Sequence, residues 1–262
     1  MGDHYTRLAY NMVLSIKKFS DIKVAVITDS TNSELTKPFD ITIEPKMCDY
    51  LEGYMFNPFK LKTYIYDYTP FNHTIYLDVD GMTLKDLTPL FDYSFKIQEV
   101  GKYDYSNAHT SDMVWTNKAG KRLNDIFDAY DLPKERLYPE YNSSIIVFKK
   151  SEENKIYFDK AKENYNDRRI DFKPIGGLYP DELAWNLASA QLEHYTETPS
   201  EKPIYFFWEN RKDEGVNSRF YVLGMAGGFH NTKLKAVYET TMKQISPYWK
   251  FDSMKKIFHN KK

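Results

Sequence analysis

Hydrophobic positions in this chain alternate between a helical and a strand-like rhythm. Leu8, Met12 and Ile16 recur every four residues, with Ala9, Val13 and Phe19 widening the stripe, which predicts an opening amphipathic helix. The apolar run from Val24 to Thr28 reads as a strand ending in Asp29-Ser30, and Ile41 to Ile43 as a second, closed by Pro45. Helical spacing returns over 59–68 through Leu61, Tyr64, Ile65 and Tyr68, and stops before Pro70. Thr74-Ile75-Tyr76-Leu77 reads as a buried strand running straight into Asp78-Val79-Asp80-Gly81. Further on, the pattern predicts a short helix at Leu87 to Phe91, a strand at Phe95 to Val100 and a helix at Lys118 to Tyr130. An apolar strand at Ile145 to Phe148 follows, then a charged amphipathic helix at Glu152 to Tyr165 and a helix at Asp181 to Leu192 introduced by Pro180. The tail over 234–262 reads as helical and ends in a basic stretch, Lys255 to Lys262. Strands alternating with helices predict an α/β fold, a mostly parallel sheet flanked by helices. No repeat, low-complexity tract or linker interrupts the 262 residues, so a single domain over 1–262 is expected.

Charge narrows the function classes. Lys plus Arg number 36 and Asp plus Glu 37, a net charge of −1, which lacks the basic excess of a general nucleic-acid binder and leaves room only for a local groove. The 22 tyrosines offer flat faces that also carry a hydroxyl, a property suited to nucleotide and sugar sites as well as to ordinary cores. Cys48 is the single cysteine, so no intrachain disulfide can form. With no apolar run of about 18 residues and no apolar core near the N-terminus, no stable membrane insertion is expected, and the chain reads as cytoplasmic.

The sharpest chemical feature is the aspartate pair. Asp-x-Asp alone is common, but Asp78 and Asp80 follow a predicted strand, and ligands in open α/β sheets bind at the carboxyl ends of strands. On an extended chain residues i and i+2 share a side, which would aim both carboxylates at one cation while Val79 faces the core. Hard carboxylate oxygens suit Mg²⁺ or Mn²⁺. The plain alternative is a strand end closed by acidic turn residues ahead of Gly81.

Lys60-Leu61, then Tyr76-Leu77-Asp78-Val79-Asp80, then Pro89-Leu90-Phe91-Asp92 together resemble the corresponding block of glycogenin-like, retaining glycosyltransferases of the GT-A fold. Three further segments keep that order. The stretch Asp3 to Lys18 resembles the family's first helix, which implies that Tyr5 stacks on the donor's uracil. Tyr141-Asn142-Ser143-Ser144 resembles an asparagine-serine-glycine motif, with Ser144 in place of the glycine; it implies that Asn142 bonds donor hydroxyls. Pro180-Asp181-Glu182 through Asn186 resembles an aspartate-glutamine segment at the reaction centre. Near the end, Gly227-Gly228-Phe229-His230-Asn231-Thr232-Lys233 resembles a loop whose histidine completes the metal shell and whose lysine grips the diphosphate. His230 and Lys233 take those roles, with Lys235 as a substitute for Lys233. This chain lacks the glycine between them and the following proline-tryptophan pair. The resemblance also implies a strand ahead of the first helix, so either an upstream segment precedes these residues or the sheet is built differently.

The resemblance thus implies a Mn²⁺- or Mg²⁺-dependent transferase moving a sugar from a nucleotide-sugar, with UDP-glucose or UDP-galactose as default donors, to a hydroxyl acceptor. Asp78, Asp80 and His230 would hold the metal; Tyr5, Lys60, Asn142 and Lys233 would bind the donor; Asp181 and Glu182 would line the reaction centre. A carboxylate base behind the sugar would give inversion, whereas the resemblance implies retention. Asp181 also fits a plain helix-start aspartate favoured by the macrodipole. Lys62, like Lys60, is a candidate to reach the sugar or phosphate, but alternate lysines on an amphipathic helix also fit a solvated surface, and Lys60 is the one chosen. The acceptor stays open among a glycan, a protein, a small molecule and modified DNA. A sugar-nucleotide nucleotidyltransferase and an inactive nucleotide- or carbohydrate-binding module are the competing readings.

Overall fold

The computed structural model describes residues 2–52, 55–103, 123–167, 181–198, 201–206, 220–224 and 232–247. In chain order its helices are α1 (Gly2–Phe19), α2 (Ser33–Thr36), α3 (Pro58–Lys62), α4 (Ile65–Tyr68), α5 (Leu123–Ala129), α6 (Glu152–Asn166), α7 (Glu182–Leu192) and α8 (Thr232–Ile245). Its strands are β1 (Ala25–Ile27), β2 (Ile41–Ile43), β3 (Leu51–Glu52), β4 (Met55–Phe56), β5 (His73–Leu77), β6 (Gly81–Thr83), β7 (Phe95–Tyr103), β8 (Tyr138–Lys149), β9 (Ile204–Phe206) and β10 (Val222–Gly224). Single 3-10 turns cover Met47–Asp49 and Thr88–Asp92, the latter where a short helix was expected. The predicted helix at 118–130 is seen from Leu123, its first residues lying outside the described ones. Of the basic tail, 248–262 likewise lies outside them.

The packing groups these residues into two compact units, each assembled from non-consecutive stretches: 1–44, 77–92 and 202–262 form one, 45–76 and 93–201 the other. In the first unit α1 buries the predicted stripe, Leu8, Ala9, Met12, Val13 and Ile16, while Phe19 stays exposed. β1 and β2 pair in parallel, joined by α2, whose cap Asn32 accepts from the Glu34 N–H. β10 pairs antiparallel with β6 and parallel with β9. Tyr238 of α8 accepts a hydrogen bond from Asn11 of α1 at 3.4 Å, and Ser246 donates to the same asparagine.

In the second unit β8 lies between β5 and β7, with the β7–β8 pair antiparallel. Helices α6 and α7 pack with β8 around Tyr157, Phe158, Phe148 and Trp185, all fully buried. The α/β class stands as expected, but the pairing is mixed rather than mainly parallel, because β6–β10, β3–β4 and β7–β8 are antiparallel. Apolar runs in a sequence carry no sign of strand direction.

Two local departures shape the second unit. The helix expected over 59–68 is broken in two after Lys62. Thr63, fully buried, turns its hydroxyl back to the Lys60 carbonyl at 2.8 Å, a side-chain bond that competes with helix continuation. β8 is three times longer than the predicted 145–148 and contains a bulge: Ile97 pairs with Ile146, yet the next residue, Gln98, pairs with Asn142. One step on β7 is thus matched by four on β8 (146 − 142), and the extra residues are Ser143, Ser144 and Ile145.

His194 shows how closely this unit is fitted. Its ring lies against Phe95 and Tyr157, 4.4 and 5.1 Å between centroids. The Asn154 amide donates to the Ser94 and Lys149 carbonyls, so its oxygen is the acceptor and His194 Nε2, 3.0 Å away, carries the hydrogen. Burial holds the imidazole pKa below its ordinary 6.5, although the Glu153 carboxylate at Nδ1 pulls the other way. The unfolded chain therefore binds this proton more readily than the folded one, and stability falls as pH drops through 6.5 toward the folded value. Urea unfolding at pH about 7.5 and about 5.5 should show this loss, and His194→Gln should reduce it; an unchanged difference would remove His194 as its source.

Gly81 opens β6 where a Cβ would stand 2.9 Å from the Leu223 carbonyl oxygen and 3.0 Å from Met12 Cε. The methionine end can move; the β10 backbone cannot without breaking the pair. Gly81→Ala is expected to cost about 1–3 kcal/mol, the usual cost of overpacking, and to lower Tm by several degrees in a thermal melt.

Candidate functional site

The aspartate pair sits where β5 stops. Asp78 follows Leu77 directly, Val79 and Asp80 form a bend, and β6 begins at Gly81. The chain is not extended here, so the alternation argument does not hold: Val79 is half-buried rather than a core residue, and every position of β5 is half-buried too. The bend leaves both carboxylates partly exposed to solvent. The field of Asp80 is felt by two tyrosines from different helices. Tyr5 on α1 has its phenol pKa raised, first by burial and then by the Asp80 charge, although the residue is 37% exposed. Tyr238 on α8 is pushed up to about 12, chiefly by burial, with Asp80 adding and the Asn11 hydrogen bond opposing. Tyr5, expected to bind the donor, thus lies within the electrostatic reach of Asp80, expected to hold the metal. The Tyr5 ring also meets His4 edge-on at 5.4 Å.

The other members of that set lie beyond description. His230 falls outside the described residues; Lys233 and Lys235 stand in the first turn of α8, but their side chains are not described. Among the described residues no three His, Cys, Asp or Glu side chains gather as a metal site. What Asp78 and Asp80 supply is a pair of hard, partly solvated oxygen donors, the type that suits Mg²⁺ or Mn²⁺.

In the second unit the sequence-predicted residues separate. Lys60 spans the hairpin side of α3: its Nζ donates to the carbonyls of Cys48 at 2.7 Å and Leu51 at 3.1 Å. Lys62, the lysine that fitted a solvated surface, is 8% exposed and turned inward. Asn142 accepts the Ser144 N–H at 2.9 Å through its own side-chain oxygen and so shapes the bulge that carries it. Glu182 is half-buried in the first turn of α7, where its carbonyl accepts from Asn186 at 2.7 Å.

Asp181 is the centre of this unit's polar chemistry. It occupies the N-cap position of α7 yet makes no side-chain capping bond, so any helix-start role acts through its charge alone. Its side chain, 1% exposed, faces inward, with Lys62 Nζ at 3.3 Å from Oδ2. Ser143, projected by the bulge, donates to the same Oδ2 at 2.6 Å, and the Trp185 indole N–H donates to it at 2.8 Å. Lys62 also donates to Ser143 at 3.2 Å. Among the described residues Oδ1, equally buried, has no hydrogen-bond partner. Ser143 and Trp185 stand inside motifs read from the sequence but were given no role there, and Lys62 was passed over in favour of Lys60. Only the i, i+4 spacing of Asp181 and Trp185 was there to be noticed.

With this geometry in hand, comparison with known proteins is informative about the fold. No protein-family model matches the chain, and no curated protein matches it significantly. Among solved structures it is similar to the apo form of WbbM, a bifunctional glycosyltransferase, with a TM-score of 0.59 and 12% identity. That match covers 97% of this chain and 50% of WbbM, so the chain spans half the length of that protein. It is also matched by apo mouse xyloside xylosyltransferase 1, with a TM-score of 0.46 and 13% identity over 84% of this chain and 91% of that one. The WbbM likeness shows a shared α/β fold of the GT-A-like type. Among the described residues no helix is long and apolar enough to cross a membrane.

An exposed ion pair contributes at most about 1 kcal/mol, but removing one partner of a buried pair costs about 3–5 kcal/mol, because the other charge is left desolvated. Lys62→Met should therefore lower unfolding free energy by about that amount in a urea titration. The double variant Lys62→Met/Asp181→Leu should recover most of it; a double variant as unstable as the single one would contradict the buried pair.

Proposed function

We propose that this chain transfers a sugar from a nucleotide-sugar donor to a hydroxyl acceptor. The observation that carries the reading is the likeness of the fold to a glycosyltransferase, within which the Asp80 charge reaches the exposed Tyr5 ring from a separate stretch of chain. In this reading the chain is a glycogenin-like GT-A enzyme, Tyr5 stacks on the base of a UDP-sugar, and Asp78 and Asp80 hold Mn²⁺ or Mg²⁺ with His230. The bound metal would act as a Lewis acid for the diphosphate leaving group. Lys233 or Lys235 would add positive charge beside those phosphates.

Asp181 takes a different role from a general base. Lys62, Ser143 and Trp185 all engage Oδ2, so that oxygen is already committed within the fold. Oδ1 is instead suited to accept a hydrogen bond from a hydroxyl of the transferred sugar. The glycogenin-like reading implies retention, with Glu182 as the residue left for the inverting route, which needs a carboxylate that takes the acceptor's proton. Asn142 and Lys60 act nearer to structure than to substrate in the bonds they make, and Asn142 keeps its amide nitrogen as the group for a donor hydroxyl.

The test is nucleoside diphosphate release from a panel of UDP- and GDP-sugars, with and without Mn²⁺, for the wild type and Asp80→Ala. Metal-dependent release from one donor, lost in Asp80→Ala while the melting curve is kept, is expected. Absence of both turnover and metal-linked nucleotide binding in the folded wild type would end the transferase reading in favour of a binding module.

A further inference from the structure

Asp181 has two carboxylate oxygens, and the structure treats them unequally. Three donors converge on Oδ2, while Oδ1 is buried without a partner among the described residues. A charged acceptor left buried and unsatisfied is costly, so such an arrangement calls for a partner beyond the described residues, and a hydroxyl of the bound sugar is such a partner. A carboxylate torsion is broad, so the carboxylate plane can rock and redirect its oxygens at little intrinsic cost. Something must therefore hold the carboxylate to one orientation.

We propose that Trp185 is a positioning residue that fixes the plane of the Asp181 carboxylate and so the direction in which its second oxygen meets the sugar, an inference that rests on the reading of Asp181 given above. Lys62 and Ser143 reach the carboxylate from α3 and from the β8 bulge. Trp185 alone approaches from Asp181's own helix, one turn on, so its N–H is fixed relative to the Asp181 backbone. Its indole cannot swing away: it is fully buried, lies near-parallel to Tyr157 at 6.0 Å and meets Phe158 nearly edge-on at 5.3 Å. For packing alone a phenylalanine would offer similar apolar area, and the N–H is the part that packing does not explain. With Oδ2 held by Trp185, Oδ1 is presented in one direction as an acceptor, and that direction selects which hydroxyl of the donor sugar it can receive.

Trp185→Phe keeps a ring in the core and removes only the N–H and part of the indole. The variant is compared with the wild type in melting, in UDP affinity, and in kcat and KM for epimeric donors such as UDP-glucose and UDP-galactose. The expected result is unchanged affinity for UDP, which lacks the sugar, with kcat lower by roughly 10- to 100-fold and a weaker preference between epimers. A purely structural role would lower Tm but leave the turnover of folded molecules and the epimer preference as they were. If Trp185→Phe does not fold, benzothienylalanine at position 185, which replaces the N–H by sulfur within the same ring outline, is measured instead. Wild-type kcat and epimer preference in a folded variant would overturn the role of Trp185 alone. A wild type that turns over no donor at all would overturn it together with the transferase reading.

Discussion

A carboxylate buried to 1% exposure is the constraint around which the second unit is organised. An ionised group that far from water is tolerable only with an opposite charge and hydrogen bonds together. Asp181 obtains them from three elements far apart in sequence: Lys62 at the end of α3, Ser143 in the β8 bulge and Trp185 one turn into α7. Each of the local irregularities nearby makes sense in that light. Thr63 stops α3 immediately after the lysine, and the bulge places three additional β8 residues where a regular strand would have kept its register. The aromatic packing of Trp185 against Tyr157 and Phe158 then makes its N–H a fixed donor.

The first unit is built on close approach rather than on a buried ion pair. Gly81 allows β6 to lie against the β10 carbonyl of Leu223, and the residue before it is Asp80. The strand pairing thus holds one end of the aspartate bend. Around Asp80 the phenols of Tyr5 and Tyr238 have raised pKa values, so both remain neutral hydroxyls beside an anion at ordinary pH.

Much of the framework could be read from periodicity. The apolar stripe of α1, the short runs of β1 and β2, and the boundaries of α6 and α7 follow from spacing alone, because there hydrophobic burial and local propensity agree. Where the sequence misled, a tertiary contact had overruled the local pattern. The first part of β8 carries Pro139, Glu140 and Asn142 and looks like a loop, yet it is almost wholly buried as a strand. β3, β4, β6, β9 and β10 are two or three residues long, too short for any alternation to register; β1 and β2 are as short and were read as apolar runs instead. The aspartate pair was found by its place after a predicted strand, but the inference about its geometry assumed an extended chain where there is a bend. Asp181 was found by resemblance, while the donors that determine its chemistry were not.

The two lysines of α3 show why. On a helix, positions two apart differ by about 200°, so Lys60 and Lys62 cannot face the same way. One must be turned to the interior and the other to the periphery, and composition cannot say which. The answer depends on where an opposite charge is waiting, and Asp181 lies more than a hundred residues further along the chain. Lys62 neutralises that charge in pairing with it, and this has a consequence for the proposed chemistry. An isolated carboxylate would attract a metal ion or any ammonium group. A carboxylate already paired with a lysine and bonded by Ser143 and Trp185 has little net charge left to offer. What remains is a directional acceptor at Oδ1, which suits a hydroxyl whose position must be specified better than it suits a cation. Selectivity among sugars that differ only in the orientation of one hydroxyl requires this kind of contact, because the wrong epimer leaves the buried oxygen unpaired.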